Sequence, residues 1–150
     1  RDHLKVSRRR HGQTLDRRRP VTLGAMKLFN EIVVVVHLLG MAAIVGGWLA
    51  VRHDLRIIPG ILWGARVQVL TGLILAGVAS MDKEDPPNNA KLGVKLVVAL
   101  VVMGLAESTW AAQKKAAAGA ALAGVATKVN VIAWLAILNV AIAALWRSYS

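Results

Sequence analysis

Residues 29–51 read FNEIVVVVHLLGMAAIVGGWLAV, with Glu31 and His37 the only ionisable side chains among them. At about 1.5 Å per residue, a helix of this length crosses a hydrocarbon core about 30 Å thick. Three further stretches have the same character: Ile57–Met81, Leu92–Trp110 and Val129–Trp146. The expected fold class is therefore all-α, a four-helix transmembrane bundle over residues 28–150 preceded by a basic, disordered arm over residues 1–27. Composition agrees, since 56% of the 150 residues are hydrophobic and mean hydropathy is +0.53, while a net charge of +11 sits in the arm and the short connections. A chain of this length leaves no room for a separate soluble domain beside the bundle.

The chain has no Cys, which excludes disulfides, thiolate metal sites and thiol catalysis. Nine of the 19 Lys and Arg fall in the arm, with Arg8-Arg9-Arg10 and Arg17-Arg18-Arg19 set against only Asp2 and Asp16. Runs of this kind are solvated, and near an anionic membrane each basic residue contributes about 1 kcal/mol. The arm lacks the interleaved aromatics on which bases stack, so nucleic acid is not an expected partner. Met26-Lys27-Leu28-Phe29-Asn30 reads like a natural start ahead of the first span, which would make the arm an over-extended reading frame. Orientation depends on this. The arm with Lys83, Lys91, Lys95 and Arg147 outweighs Arg52, Arg56, Arg66, Lys114, Lys115 and Lys128 on the other side, which places both termini in the cytoplasm. A start at Met26 weakly reverses that prediction.

The connections divide clearly. Arg52–Arg56 is a tight charged turn, and Pro59 stands where a first-turn proline is tolerated. Asp82–Asn89, with paired prolines, breaks the helical pattern. Residues 111–127 are Ala-rich and able to extend the flanking helices beyond the membrane. With alternating helix directions, Trp48, Trp63, Trp110 and Trp134 all fall towards the first and third connections as an interfacial belt, and Phe29, Trp146 and Tyr149 mark the opposite face.

Ionisable groups within a span cost a few kcal/mol each unless partnered or snorkelled. Arg66 lies about 10 Å along its helix from Pro59, and Glu107 approaches the same side, so the two are expected to pair. Glu31 and Lys95 form a second expected pair near the other face. Deeper still, His37, Gln68 and Asn139 reach comparable depths near mid-membrane with Thr71 one turn from Gln68, a set able to form one polar cluster. Such groups commonly serve as interhelical hydrogen-bond glue, whereas an intramembrane imidazole also suits proton transfer or metal ligation.

A bis-His haem within the chain fails, because His53 lies on the same helix about 24 Å from His37, so haem would require a ligand from a partner. His37 and Met41 share one helical face and Met103 lies on another span, a weak candidate set for soft Cu(I). Methionines in apolar helices are more often filler. Gly40, Gly47, Gly64 and Gly72 mark close helix approaches, with Gly46 and Gly47 pointing apart so that the first helix offers small surface to two neighbours. No nucleophile elbow, zinc-protease motif, phosphate-cradling loop or carboxylate pair occurs, so neither an enzyme nor a bound cofactor is expected.

Three runs, HLLGMAAIVGGWL over residues 37–49, WGARVQVLTGL over 63–73 and KLGVKL over 91–96, resemble small four-span membrane proteins of high-GC Gram-positive bacteria. They are also distantly similar to the membrane domain of the copper-resistance D family, in which a first-helix His precedes a Gly-Gly-Trp stretch. The resemblance covers residues 28–147 and implies a multi-pass protein of a bacterial plasma membrane. The expected function is that of a non-catalytic accessory or assembly subunit, its partners the lipid bilayer and other membrane proteins or copies of itself. The alternative is a protein handling a small solute or a metal ion at His37.

Overall fold

The computed structural model describes residues 21–81, 88–117 and 124–145. They form four helices: α1 (Val21–Ala50), α2 (Pro59–Ser80), α3 (Asn89–Ala117) and α4 (Val125–Leu145). All four are long and apolar enough to cross a membrane. Their outward faces are also apolar, with Leu38, Leu39, Leu70, Val97 and Leu138 all exposed. Such faces suit a hydrocarbon surround.

The ends follow local chemistry. Ile58 has an extended backbone (φ −114°, ψ 158°) and hands over to Pro59, whose missing N–H is no loss in a first turn. Asn88 caps α3, its side-chain oxygen accepting from the Lys91 N–H at 3.0 Å. Gly124, at φ 81°, makes the left-handed turn into α4. Gln113 of α3 accepts from the Ile57 N–H and donates to the Ile57 carbonyl at 3.0 Å, so one side-chain amide satisfies both backbone groups of a residue in the α1–α2 connection.

Two boundaries differ from the sequence reading. Helix α1 begins at Val21, so residues 21–27, expected in the arm, are helical. Apart from Gly24 this segment carries no helix breaker, and Ala25, Met26, Lys27 and Leu28 all favour helix. Helix α3 runs on to Ala117 and α4 starts at Val125, beyond the spans expected at Leu92–Trp110 and Val129–Trp146, as the Ala-rich composition of residues 111–127 allows. Residues 1–20, the acidic break at 82–87, Trp146 and Tyr149 lie outside the described residues.

Each helix packs against its neighbours in chain order: α1 on α2, α2 on α3, α3 on α4, and α4 more lightly back on α1. Among the described residues, no Cα atoms of the diagonal pairs α1/α3 and α2/α4 come within 8 Å. Side-chain contacts show successive helices running antiparallel: Gly40 meets Gly64 while Gly47 meets Ile61, and Trp48 meets Asn130 and Trp134.

The interior has two unlike halves. Beside the first and third connections lies a close-packed core, with Ile44, Ile61, Ala65, Ala106, Val129 and Ile132 at 0–1% exposure. Met41, Trp48, Met103 and Trp110 pack against it. Towards the chain termini the helices separate around a cavity.

Candidate functional site

The cavity measures about 250 Å³. From α2 come Gly72, Leu75, Ala76 and Ala79, and from α3 Leu92, Leu96 and Ala99, so it reaches the last turn of α2 and the first turn of α3. Its polar lining comes from all four helices: His37, Gln68, Lys95 and Asn139. Three of the four residues of the expected mid-membrane cluster thus line one space. The fourth, Thr71, is 5% exposed and bonds to His37 from behind.

The hydrogen bonds define how His37 is held. The Thr71 hydroxyl donates to the Val67 carbonyl at 2.5 Å, which uses its single proton. With the proton so placed, the 2.7 Å contact with His37 Nδ1 assigns the imidazole as donor. In the neutral ring this leaves Nε2 as an acceptor. Gln68, at 3% exposure, donates through Nε2 to the His37 backbone carbonyl, joining α1 to α2 at the same level.

Gly40 makes that bond possible. A Cβ there would lie 3.0 Å from Gln68 Nε2 and 3.3 Å from the Gly64 carbonyl oxygen. Opposite it, a Cβ on Gly64 would lie 2.7 Å from the Gly40 carbonyl oxygen, a contact with backbone that cannot swing away. Gly47 is closed in the same manner by Ile61 Cγ1 at 2.7 Å. The fourth expected packing glycine differs. At Gly72 the nearest atom to a Cβ is His37 Cε1 at 3.8 Å, ordinary contact distance, so this residue walls the cavity and is not required for helix approach.

Two buried acceptors, Gln68 Oε1 and Asn139 Oδ1, find no hydrogen-bond donor among the described residues. Asn139 is only 8% exposed. Buried amide oxygens without a donor are uncommon and costly, about 1–3 kcal/mol each, and two beside one cavity mark it as a place where a donor-bearing molecule gains.

The charged groups fall differently. Arg66 Nε donates to Glu107 Oε1 at 2.6 Å, and its guanidinium carbon lies 4.9 Å from the centre of the Trp63 ring. This half-exposed assembly sits on the outer surface of α2 and α3, in the packed half. Glu31 and Lys95 are not brought together: among the described residues no ion pair joins them. They belong to α1 and α3, which stand diagonally across the bundle, and Glu31 is on an exposed face while Lys95 lines the cavity. The expected pairing rested on equal depth and took no account of helix order.

The weak metal set is likewise divided. Met41 and Met103 pack against the core, whereas His37 faces the cavity side with Nδ1 committed to Thr71. Among the described residues no three His, Asp or Glu side chains gather as a metal site. Sequence reasoning passed over Lys95 as a lining residue and the small-residue wall of Ala76, Ala79 and Ala99; their spacing fits any helix contact, and only the rotation of α2 and α3 shows that they face a void. No protein-family model, curated protein or solved structure matches the chain.

Proposed function

We propose that this is a non-catalytic multi-pass protein that binds a small polar molecule within the membrane, in the cavity floored by His37, Gln68 and Asn139. The carrying observation is that polar side chains from all four helices, two of them with donor-less buried oxygens, line one cavity in an otherwise apolar bundle. The close-packed half supports binding over conduction, because its core residues, Ile44, Ala65, Val102 and Ala136 among them, are apolar and buried. The ligand enters from the side of the chain termini. Following the resemblance drawn from residues 37–49, the membrane is taken to be a bacterial plasma membrane.

Purification from the native membrane followed by denaturing release and mass spectrometry tests this reading. The expected result is a small molecule retained by the parent and absent from Ala76→Phe, whose ring fills the cavity. Equal recovery of the same molecules from both proteins would remove the proposal.

A second reading, an accessory subunit that binds other membrane proteins, is favoured by Ala42, Gly46 and Ala50, which share the exposed side of α1 with nothing within 4 Å of a Cβ on Gly46. Gly47 faces Ile61 inside the bundle, so a bulky residue there disturbs the fold itself and no longer separates the readings. Gly46→Leu does. Under the accessory reading it releases a near-stoichiometric membrane polypeptide; under the ligand reading it is mild.

A further inference from the structure

The cavity has chemically opposite ends. At its floor, with Nδ1 assigned as donor to Thr71, the neutral His37 ring has Nε2 as an acceptor. Gln68 and Asn139 belong to the same lining, and their buried oxygens, Oε1 and Oδ1, have no donor among the described residues. This end calls for a hydroxyl or N–H. Towards the chain termini stands Lys95, the only Lys or Arg among the described residues of the lining. Among the described residues no carboxylate lies within 4.0 Å of it. That end calls for an anion. Counting from the Arg66–Glu107 pair, antiparallel register sets Lys95 opposite Val78, about 10 Å along α2 from Thr71. Between the ends the walls are Leu75, Ala76, Leu96 and Ala99, which reject charge and accept an apolar body. The volume of about 250 Å³ is below the range of roughly 300–1,000 Å³ that holds drug-sized ligands.

Resting on the reading of this cavity as a ligand site, we propose that its ligand class is the small hydroxylated monocarboxylic acid: a carboxylate held by Lys95, an apolar body along α2 and α3, and a hydroxyl donated to the His37, Gln68 and Asn139 acceptors. A dicarboxylate is disfavoured because one ammonium cannot neutralise two charges in an apolar enclosure. An amine meets repulsion from Lys95. A soluble aromatic acid and a free fatty acid from the bilayer share the carboxylate and apolar body and differ in source.

The test uses the full chain in nanodiscs of neutral phosphatidylcholine, titrated calorimetrically with 4-hydroxybenzoate, benzoate, phenol and oleate. The expected order places 4-hydroxybenzoate above benzoate and phenol. Lys95→Gln weakens 4-hydroxybenzoate by about tenfold, equivalent to 1.4 kcal/mol, and leaves phenol within about twofold. Asn139→Leu abolishes the preference for 4-hydroxybenzoate over benzoate. Lys95→Met serves as a second charge-removing variant, and circular dichroism verifies that each variant is folded. Oleate binding tighter than 4-hydroxybenzoate overturns the proposal, because oleate carries no hydroxyl and is too long for the enclosed volume. Acids that bind both Lys95 variants as well as the parent overturn the proposal. It also falls if no acid binds while Ala76→Phe still loses a retained molecule, in which case the cavity reading survives and the ligand class does not. If no acid binds and no molecule is retained, both fall.

Discussion

Gly64 and Gly72 lie on the same helix, about two turns apart, with opposite tolerances. Backbone at 2.7 Å stands where a Gly64 side chain would begin, whereas the nearest atom at Gly72 is 3.8 Å away. Gly64→Ala is therefore expected to destabilise the bundle by about 1–3 kcal/mol, the range for forcing one carbon into a packed contact. Gly72→Ala is expected to match or exceed the parent, since Ala gains up to about 1 kcal/mol of helix propensity. Reversible unfolding in mixed micelles compares the two directly. At the Arg66–Glu107 pair, either single charge reversal is expected to lower the unfolding midpoint and the double reversal to restore most of the loss. A double variant no better than the singles would show that the 2.6 Å contact contributes nothing as an ion pair. Depth was legible in the sequence, because a helix converts residue number into ångströms along the membrane normal. That is how Arg66 was matched with Glu107, and His37 with Gln68 and Asn139. Rotation about each helix axis was not legible, and it decides that Lys95 lines a cavity instead of meeting Glu31.

Among the elements, the four helices were the most readable feature, since each apolar stretch is far longer than a soluble core helix needs. Their ends were less so. Residues 21–27 were assigned to the arm on charge, yet the charge is concentrated upstream of Pro20 and nothing after it opposes a helix except Gly24. The connection between α1 and α2 also hid its main restraint. Gln113 lies far along the chain in a segment that reads as a polar helix extension, yet its amide pairs with both backbone groups of Ile57, which is 2% exposed. Gln113→Ala leaves a buried N–H and C=O without partners, and a loss of about 1–3 kcal/mol is expected. Limited proteolysis checks where that loss is felt: cleavage at Arg52 or Arg56 is expected to quicken while cleavage near Lys128 is unchanged.

For the molecule as a whole, the division into a packed half and a hollow half makes a prediction that the Cys-free chain is well suited to test. Single cysteines at Ala76 and Ala79 are expected to react with a membrane-impermeant thiol reagent added from the side of the termini, and cysteines at Ala65 and Ala133 from neither side. Reaction of Ala65→Cys from the opposite side would mean that the core opens and that the protein conducts. The same division governs how the membrane voltage is distributed. If water fills the cavity, it carries the potential of the adjoining solution towards the level of His37, and most of the drop then falls across the layer around Ile44, Ile61, Val129 and Ile132. A charge that crossed that layer would exchange about 2.3 kcal/mol with each 100 mV. Under the proposed anion site, a ligand stopping at Lys95 would cross almost none of it, so its binding is expected to follow its concentration on one side and not the membrane voltage.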